Sequence, residues 1–315
     1  MTLSITRTFD SFEEFNSFPH GWDADFRVTS GDAYVARIEH TQMKHVLINS
    51  ASYSEPTLQR ASTPAGSRTL ALPVQIHGPM SWFNYEINDR SLMLFPENRE
   101  LFSVSRGSMH ISTFSIADEL FDRQLEQLAV TDSPALLDGR VMQLDDATWR
   151  HLHKCLFILR EYCEKYRDEQ PFPELERFLT EEAAYQFASR MLGRPLDSCR
   201  LPVHAAAKHT RRAMQYILPR LRTPLTVAEV CAAVGIGRRN LEMSFQRYLG
   251  RSPKQLIKYL RYSLCREEMQ QQYRVSVNEI ARSWGFWHMG QFAADYKTLF
   301  GECPGVTVRK LRLHH

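Results

Sequence analysis

Two groups of side chains near the C-terminus carry the hydrogen-bonding atoms with which proteins read DNA bases. Arginine can donate two hydrogen bonds to guanine, asparagine or glutamine can pair with adenine, and glutamate can accept a hydrogen bond from cytosine. Both groups follow a glycine and lie off an apolar stripe of helical period, so we expect them on the exposed face of a helix. The first group is Arg238, Arg239, Asn240, Glu242, Met243, Gln246 and Arg247, and the second is His288, Met289, Gln291 and Lys297. The pattern therefore predicts two helices that can read DNA.

The two groups occupy corresponding places in a stretch of sequence that occurs twice. The first copy spans residues 226–253, the second spans 276–304, and both end in Gly-x-x-Pro. The aligned pairs include Glu229 with Glu279, Gly235 with Gly285 and Pro253 with Pro304, and the second copy carries one extra residue after its glycine. Matches at this many fixed points identify an internal repeat.

Each copy is predicted to form a helix, a glycine turn and a second helix. Thr226-x-x-Glu229 and Ser276-x-x-Glu279 are capping boxes, in which hydroxyl and carboxylate satisfy backbone N–H groups at a helix start. The glycines supply the left-handed backbone that ends the helix. The predicted inward stripes are Val227, Val230 and Ala233, then Leu241, Phe245 and Leu249 in the first copy, and Phe292, Tyr296 and Leu299 in the second. This is the helix-turn-helix pattern, whose second helix can lie in a major groove.

The repeat resembles the C-terminal domain of the AraC/XylS family of bacterial transcription regulators. The resemblance covers about the last hundred residues, and GFWHMGQFAADYKTLFGECP is similar to the family signature on its XylS side. It implies a regulator of transcription, in the family's commoner mode an activator, with double-stranded promoter or operator DNA, RNA polymerase and a second copy of itself as partners. By positional match the implied base readers are Arg239, Glu242 and Met243, whereas Arg238 and Arg247 could equally bind phosphates.

The second recognition helix is poorer in polar groups than the first. Ala294 stands where the family often has a long polar side chain, so we expect this helix to use phosphate and apolar thymine contacts and to read fewer bases. Specificity should then be concentrated in the first half-site. A helix from Pro253 to about Gln272 would join the two units, placing the two recognition helices in successive major grooves, about one DNA turn (~34 Å) apart.

The distribution of charge favours a polyanionic partner at the C-terminal end. Residues 201–315 contain 19 Lys and Arg against 7 Asp and Glu, a net charge of +12. The rest of the chain holds 20 basic and 29 acidic residues, a net charge of −9. A basic domain that carries a tandem helix-turn-helix pattern indicates DNA binding.

Composition indicates an ordinary globular chain of 315 residues, with 43% hydrophobic and 24% charged residues. Neither an apolar run of about 18 residues nor a secretory signal is found in the sequence, so we expect a cytoplasmic bacterial protein that joins the nucleoid when bound to DNA. The six cysteines form no CxxC pair, which favours reduced thiols over disulfides or a zinc site.

The N-terminal half predicts a β-rich domain followed by helices. Short alternating segments separated by turn residues run from Asp32 to about Ile116, and helical period follows. Residues up to about Ser30 show little period and are expected to form an arm. The predicted fold class is α+β, with an N-terminal β-barrel or sandwich, a helical dimerisation segment and a C-terminal all-α tandem helix-turn-helix domain. The expected boundaries are 1–195, a linker at 196–203, and 204–315. The family resemblance adds that the β domain is cupin-like.

The long predicted helix after Asp146 carries an apolar stripe with two interpretations. The stripe consists of Trp149, Leu152, Leu156, Leu159 and Cys163. It could pack into the core of its own domain, or it could form the interface of a dimer.

The N-terminal domain leaves two hypotheses for control of the protein. An apolar cavity lined by residues such as Trp82, Phe83, Tyr85 and Phe95 would favour a small effector. A barrel filled by its own side chains would instead favour control by a partner, by oligomerisation or by protein level. The sequence has no nucleophile, dinucleotide or P-loop motif, and its histidines lack metal-binding spacing, so we expect no cofactor, no metal and no enzymatic activity. A third reading, a cupin-type enzyme fused to a DNA-binding domain, would require a bound metal.

Overall fold

The fold is given by a computed structural model. It describes residues 3–18, 21–29, 34–83, 85–95, 100–128, 141–166, 173–192, 205–271 and 275–312. The chain divides into two compact units, Met1–Arg27 with Tyr34–Val203, and Val28–Ala33 with His204–His315. The linker predicted at 196–203 lies outside the described residues.

The first unit contains two antiparallel sheets. Its strands are β1 (Leu3–Phe9), β2 (Asp23–Val28), β3 (Ala36–Gln42), β4 (Val46–Tyr53), β5 (Thr57–Ser62), β6 (Ser67–Ile76), β7 (Met80–Trp82), β8 (Tyr85–Ile87), β9 (Ser91–Leu94), β10 (Leu101–Ser105), β11 (Met109–Ala117) and β12 (Val141–Gln143). The larger sheet has the order β1-β3-β4-β11-β6-β9-β12, and the smaller has β2-β5-β10-β7-β8. The prediction of a β-rich N-terminal domain is confirmed.

The described helices of this unit are α1 (Phe12–Ser17), α2 (Asp118–Gln127), α3 (Asp146–Lys165) and α4 (Pro173–Leu192). They lie after β11, as the change of period predicts, except α1, which lies between β1 and β2. Asp145 caps α3, because its carboxylate accepts a hydrogen bond from the backbone N–H of Thr148 at 2.8 Å.

The prediction that residues up to about Ser30 form an arm is wrong. Strand β1 pairs with β3 along its whole length, from Leu3 opposite Gln42 to Phe9 opposite Ala36. Most side chains of β1 remain exposed or half-buried because it lies at the edge of the sheet. An edge strand of this kind lacks the regular apolar alternation by which a strand is recognised in a sequence.

The apolar stripe of α3 packs into the core of its own unit. Leu152, Leu156, Leu159 and Cys163 are buried there, and Trp149 is partly buried against the same cluster. The alternative interpretation of this stripe as a dimer interface is therefore wrong, since a buried stripe cannot meet a second chain.

The second unit consists of helices. They are α5 (Ala205–Ile217), followed by the 3₁₀ turn Leu218–Arg220, α6 (Val227–Val234), α7 (Arg238–Leu249), α8 (Pro253–Gln271), α9 (Val277–Ser283), α10 (Met289–Phe300) and α11 (Pro304–Arg312). The joining helix predicted after Ser252 is α8, which we call the linker helix. The two helix-turn-helix units are α6 with α7 and α9 with α10, as the repeat predicts.

Both predicted capping boxes are present. The Thr226 hydroxyl accepts from the Glu229 N–H at 3.3 Å, and the Glu229 carboxylate accepts from the Thr226 N–H at 2.7 Å. The corresponding distances for Ser276 and Glu279 are 3.2 and 3.1 Å. Because the Glu229 carboxylate accepts hydrogen bonds from the backbone and hydroxyl of Thr226, its pKa lies below its ordinary value.

Three positions of the predicted stripes differ from expectation, of which Val227 is half-buried. In α6 the buried residues are Val230 and Val234, while Ala233 is exposed, because the inward face continues four residues after Val230. Leu299 of α10 is half-buried, whereas Phe292 and Tyr296 are buried.

Replacing either cap hydroxyl should destabilise the second unit. Thr226→Ala or Ser276→Ala leaves backbone N–H groups at a helix start without their side-chain acceptor, which typically costs about 1 kcal/mol. The change should appear as a lower midpoint in thermal unfolding followed by circular dichroism. Thr298→Ala is the matched control, since that hydroxyl is exposed and donates only to the Ala294 carbonyl inside a helix. Equal midpoints for wild type, cap variants and control would contradict the capping role.

Candidate nucleic-acid interface

The first helix-turn-helix unit presents one face of α7 to solvent. Gly235 ends α6 with a φ of 76°, and Gly237 begins α7 without a side-chain cap. The inward face of α7 buries Leu241, Phe245 and Tyr248. The predicted first group lies on the other face: Arg238, Arg239, Asn240, Met243, Gln246 and Arg247 are exposed and Glu242 is half-exposed.

One ion pair organises the start of this face. Arg238 Nε donates to Glu242 Oε1 at 2.8 Å, one helical turn away, and this hydrogen bond raises the pKa of the arginine. An exposed pair of this kind contributes little to stability. Its consequence is positional, because it holds Glu242 beside Arg238 and leaves the neighbouring Arg239 and Met243 side chains exposed.

The second unit presents a different surface on α10. His288 is the N-cap residue, and His288, Gln291, Ala294 and Lys297 are exposed while Met289 is half-buried. Gln291 Nε2 donates to Asp295 Oδ1 at 3.0 Å within the same helix. Gln291 would therefore have to exchange this hydrogen bond for one with a base.

Asp295 in turn connects α10 to the linker helix. Its Oδ2 accepts from Lys258 Nζ at 2.7 Å and from the Tyr262 hydroxyl at 3.1 Å. The hydrogen bond from Lys258 is the largest cause that lowers the pKa of Asp295, which is thus ionised at neutral pH. The ring of Tyr262 stacks on Phe292, with centroids 5.3 Å apart and planes at 10°. The second recognition helix is therefore attached to the linker helix through both polar and aromatic contacts.

Glu268 connects the linker helix to the two ends of the domain. Its carboxylate accepts from Arg222, which precedes α6, and from Trp284 Nε1 at 2.8 Å, at the end of α9. The Arg222 guanidinium also lies 4.4 Å from the centre of the Trp284 ring. One carboxylate thus ties together the entrance to the first unit, the linker helix and the second unit.

Arg261 adds a further attachment between the linker helix and the first unit. It donates from Nε to the Leu221 carbonyl at 2.8 Å and from Nη2 to the Thr223 carbonyl at 2.6 Å. These carbonyls lie just before α6, so the arginine fixes the chain that leads into the first unit.

The residue that the sequence prediction missed is Trp287. It is 71% exposed and lies between Gly285 and the N-cap of α10. The two N-caps, Gly237 and His288, are two and three residues after their glycines, so the extra residue of the second copy falls in this turn. An inserted tryptophan in a solvent-facing turn was the available signal, because a large aromatic side chain is seldom left exposed without a role.

Of the four N-terminal residues that were predicted to bind a ligand, two line a cavity and two do not. Trp82 and Phe95 line a cavity of about 60 Å³ between the two sheets, whereas Phe83 and Tyr85 do not line it. Phe83 occupies the turn between β7 and β8 with a φ of 50°, and Tyr85 begins the returning strand. Tyr85 pairs with Trp82, and the centres of the two rings lie 6.4 Å apart.

The described residues bear on two other classes of site. Among them, no group of three or more His, Cys, Asp or Glu side chains is arranged to hold a metal ion. Within the same part of the chain, none of the helices has the length and apolar character needed to cross a bilayer.

Comparison with known proteins identifies the second unit. Residues 209–310 match the family model described as a helix-turn-helix domain. The probable thc operon regulatory protein of Rhodococcus erythropolis is 39% identical over 101 residues, which are 31% of this chain and 30% of that protein. The XylDLEGF operon transcriptional activator 3 of Pseudomonas putida is 28% identical over 104 residues, 32% of this chain and 31% of that protein. The chain thus spans about a third of the length of the curated relatives that it matches.

A solved structure also resembles the chain over a longer stretch. The AraC-like transcriptional activator CuxR aligns over 83% of this chain and 94% of its own, with 13% identity and a TM-score of 0.44. A score of this size carries no inference about function.

Residues 209–310 therefore form a helix-turn-helix domain of a DNA-binding class. It is of the AraC type, and the resemblance to the AraC/XylS family is confirmed for this part of the chain.

We predict that Trp287 contributes to DNA binding in the second unit. Its position just before α10 brings an apolar ring to the end of the helix expected to enter the groove, where it can contact a thymine methyl group or a sugar. Trp287→Ala should weaken binding of a duplex selected by the wild type about 5- to 10-fold, or about 1 kcal/mol, in fluorescence anisotropy at one fixed salt concentration.

The matched control is Phe178→Ala in α4, another strongly exposed aromatic side chain (62%) but in the first unit. This variant should bind the same duplex as tightly as wild type does. Equal affinities for Trp287→Ala and wild type would exclude the tryptophan from the interface.

Proposed function

We propose that the chain is a sequence-specific DNA-binding regulator of transcription that reads two successive major grooves. The single observation that supports this best is the pair of helix-turn-helix units attached to one linker helix, each with its polar face in solvent. The basic character of the C-terminal region agrees with a DNA partner.

The two recognition helices would contribute unequally to base recognition. In α7, Arg239, Glu242 and Met243 are the proposed base readers, with Asn240 and Gln246 beside them, and Arg238 and Arg247 share base and phosphate contacts. In α10, His288, Met289, Gln291 and Lys297 are the proposed contacts. Because Gln291 donates a hydrogen bond to Asp295 and Ala294 occupies an exposed position, we infer that the second helix reads fewer bases.

The proposed partners follow from this activity. The protein would act as an activator on promoter DNA in the bacterial cytoplasm, associate with the nucleoid through that DNA, contact RNA polymerase and form a homodimer. It would respond through its N-terminal domain to a small effector, and we assign it no enzymatic role and no cofactor.

The competing proposal is a ligand-free N-terminal domain controlled by a partner, by oligomerisation or by protein level. It would be supported by sheets whose facing side chains fill the space between them. The cavity lined by Trp82 and Phe95 supports effector control instead.

Selection of bound DNA from a random pool tests the proposed function. At one stated salt concentration, the wild type should enrich a two-part motif whose parts lie about one DNA turn apart. Arg239→Ala should relax sequence preference in one part, because a lost bidentate contact typically reduces discrimination by about 1–3 kcal/mol. Gln291→Ala should change the other part less. Binding that follows salt alone, with no enriched motif, would contradict a sequence-specific regulator.

A further inference from the structure

The cavity in the first unit lies between the two sheets, and no charged side chain of the described residues lines it. Its wall is formed from the larger sheet by residues such as Asn49 and Thr113, and from the smaller by Trp82 and Ser103. Trp22, which precedes β2, closes one side. An apolar wall with a few fixed polar groups is the usual composition of a small-molecule site.

Four polar atoms of this wall have no hydrogen-bond partner among the described residues. They are Trp22 Nε1, Trp82 Nε1, Ser103 Oγ and Thr113 Oγ1. Trp82 and Ser103 are each only 1% exposed, so bulk water does not satisfy them. A buried polar atom without a partner is unfavourable, and four around one cavity indicate a missing partner inside it.

Two other polar side chains of the wall have hydrogen-bond partners, which separates them from these four. Asn49 Oδ1 lies 2.7 Å from His40 Nδ1, and Gln59 Nε2 donates to Thr57 Oγ1 at 3.1 Å. Outside the cavity, Trp149 Nε1 donates to the Pro73 carbonyl at 3.1 Å. The unpartnered indoles are thus a property of the cavity.

One aromatic ring packs against both indoles. Phe95 lies 5.2 Å from Trp22 and 5.3 Å from Trp82 between ring centroids, with both pairs edge to face. The next residue after Trp82, Phe83, occupies a tight turn with positive φ, which sets where β7 ends. Trp82 is 1% exposed, so the position of its N–H donor does not depend on a ligand.

We propose that this cavity binds a compact, uncharged, largely apolar molecule that bears a hydrogen-bond acceptor such as a carbonyl oxygen. Indole N–H groups only donate, and the two hydroxyls can also donate, so the ligand must supply acceptor atoms. A charged ligand would be buried without a countercharge, which is strongly unfavourable. This inference rests on the proposed function, in which the N-terminal domain receives an effector.

The size of the cavity limits the ligand. Its volume of about 60 Å³ holds about two water molecules and is below the ~150 Å³ of a cavity that binds benzene. Trp22 is only half-buried, so its rotation is the movement that would enlarge the site to accept one aromatic ring.

Three probes of similar size and different polarity test the proposal. Acetophenone is uncharged and has a carbonyl acceptor, ethylbenzene lacks the acceptor, and benzoate carries a charge. Isothermal titration of the full chain should show acetophenone binding at least about fivefold more tightly than ethylbenzene, the difference expected for one buried hydrogen bond. Benzoate should bind most weakly of the three.

Variants that remove one donor test which atoms are used. Trp82→Phe removes the indole N–H and also enlarges the cavity, so the affinity for acetophenone relative to that for ethylbenzene should fall about 5- to 10-fold. Trp149→Phe is the matched control: it removes an indole N–H that already has a protein acceptor, so it should leave both affinities unchanged. Ser103→Ala should raise the unfolding temperature of the ligand-free chain, because it removes a buried hydroxyl that has no partner.

Each other outcome overturns the proposal. Equal affinities for acetophenone and ethylbenzene would mean that the four polar atoms are not used, and tighter binding of benzoate would mean that the ligand is charged. If no probe binds and Ser103→Ala lowers the unfolding temperature, then ordered water is the missing partner.

The proposed function is measured separately, as binding of a selected duplex by the chain without any probe. Loss of probe binding with intact DNA binding would refute only the ligand assignment. Loss of DNA binding with intact probe binding would refute only the proposed function as a DNA-binding regulator.

Discussion

The carboxylate of Glu268 is the contact on which the arrangement of the C-terminal domain most depends. It accepts hydrogen bonds from a guanidinium that leads into the first helix-turn-helix unit and from an indole that ends the first helix of the second. Its side chain is only 14% exposed, whereas that of Arg222 is 58% exposed, so the contact with the indole is the more shielded of the two. Charge-assisted hydrogen bonds are directional, and for that reason they fix the orientation of the units as well as their proximity.

The other contacts of the linker helix act in the same way. Arg261 donates hydrogen bonds to two backbone carbonyls that precede the first unit. Asp295, in the second unit, accepts hydrogen bonds from Lys258 and Tyr262. A DNA duplex would therefore meet two recognition helices whose separation is already set. The orientational entropy of the two helices is already lost when the domain folds, so DNA binding is opposed by a smaller loss of entropy. The polar side chains of the first helix can then provide specificity while the second contributes mainly position.

The sequence predicted the C-terminal domain better than the N-terminal one, for reasons that particular residues make clear. Capping boxes, the glycines with positive φ and the joining helix are local signals, and all of them were correct. Strand β1 was missed because a strand at the edge of a sheet buries too few side chains to show alternation. The burial of the α3 stripe depends on tertiary packing. The apolar period of a helix is the same whether its stripe packs into the core of its own domain or into a dimer interface.

The candidate sites show the same division between local and tertiary information. The exposed face of α7 follows from helical spacing, but the bonds of Glu242 to Arg238 and of Gln291 to Asp295 depend on rotamers that the sequence does not specify. Trp82 and Phe95 could be named as aromatic residues of the β domain. Identifying the atoms that lack a partner in the cavity requires the pairing of both sheets and the turn at Phe83. Contributions of Trp22, Ser103 and Thr113 were therefore not visible in the sequence.

The most direct test of the central claim, that the linker helix fixes the two recognition helices one DNA turn apart, is a spacing series. Duplexes that carry the two selected half-sites at separations increased one base pair at a time would be measured by fluorescence anisotropy at constant salt, with wild type and Glu268→Ala. The rigid arrangement predicts one sharp optimum near 10–10.5 base pairs for the wild type and a broader, weaker optimum for the variant. An affinity independent of spacing, or the same sharp optimum in both proteins, would contradict it.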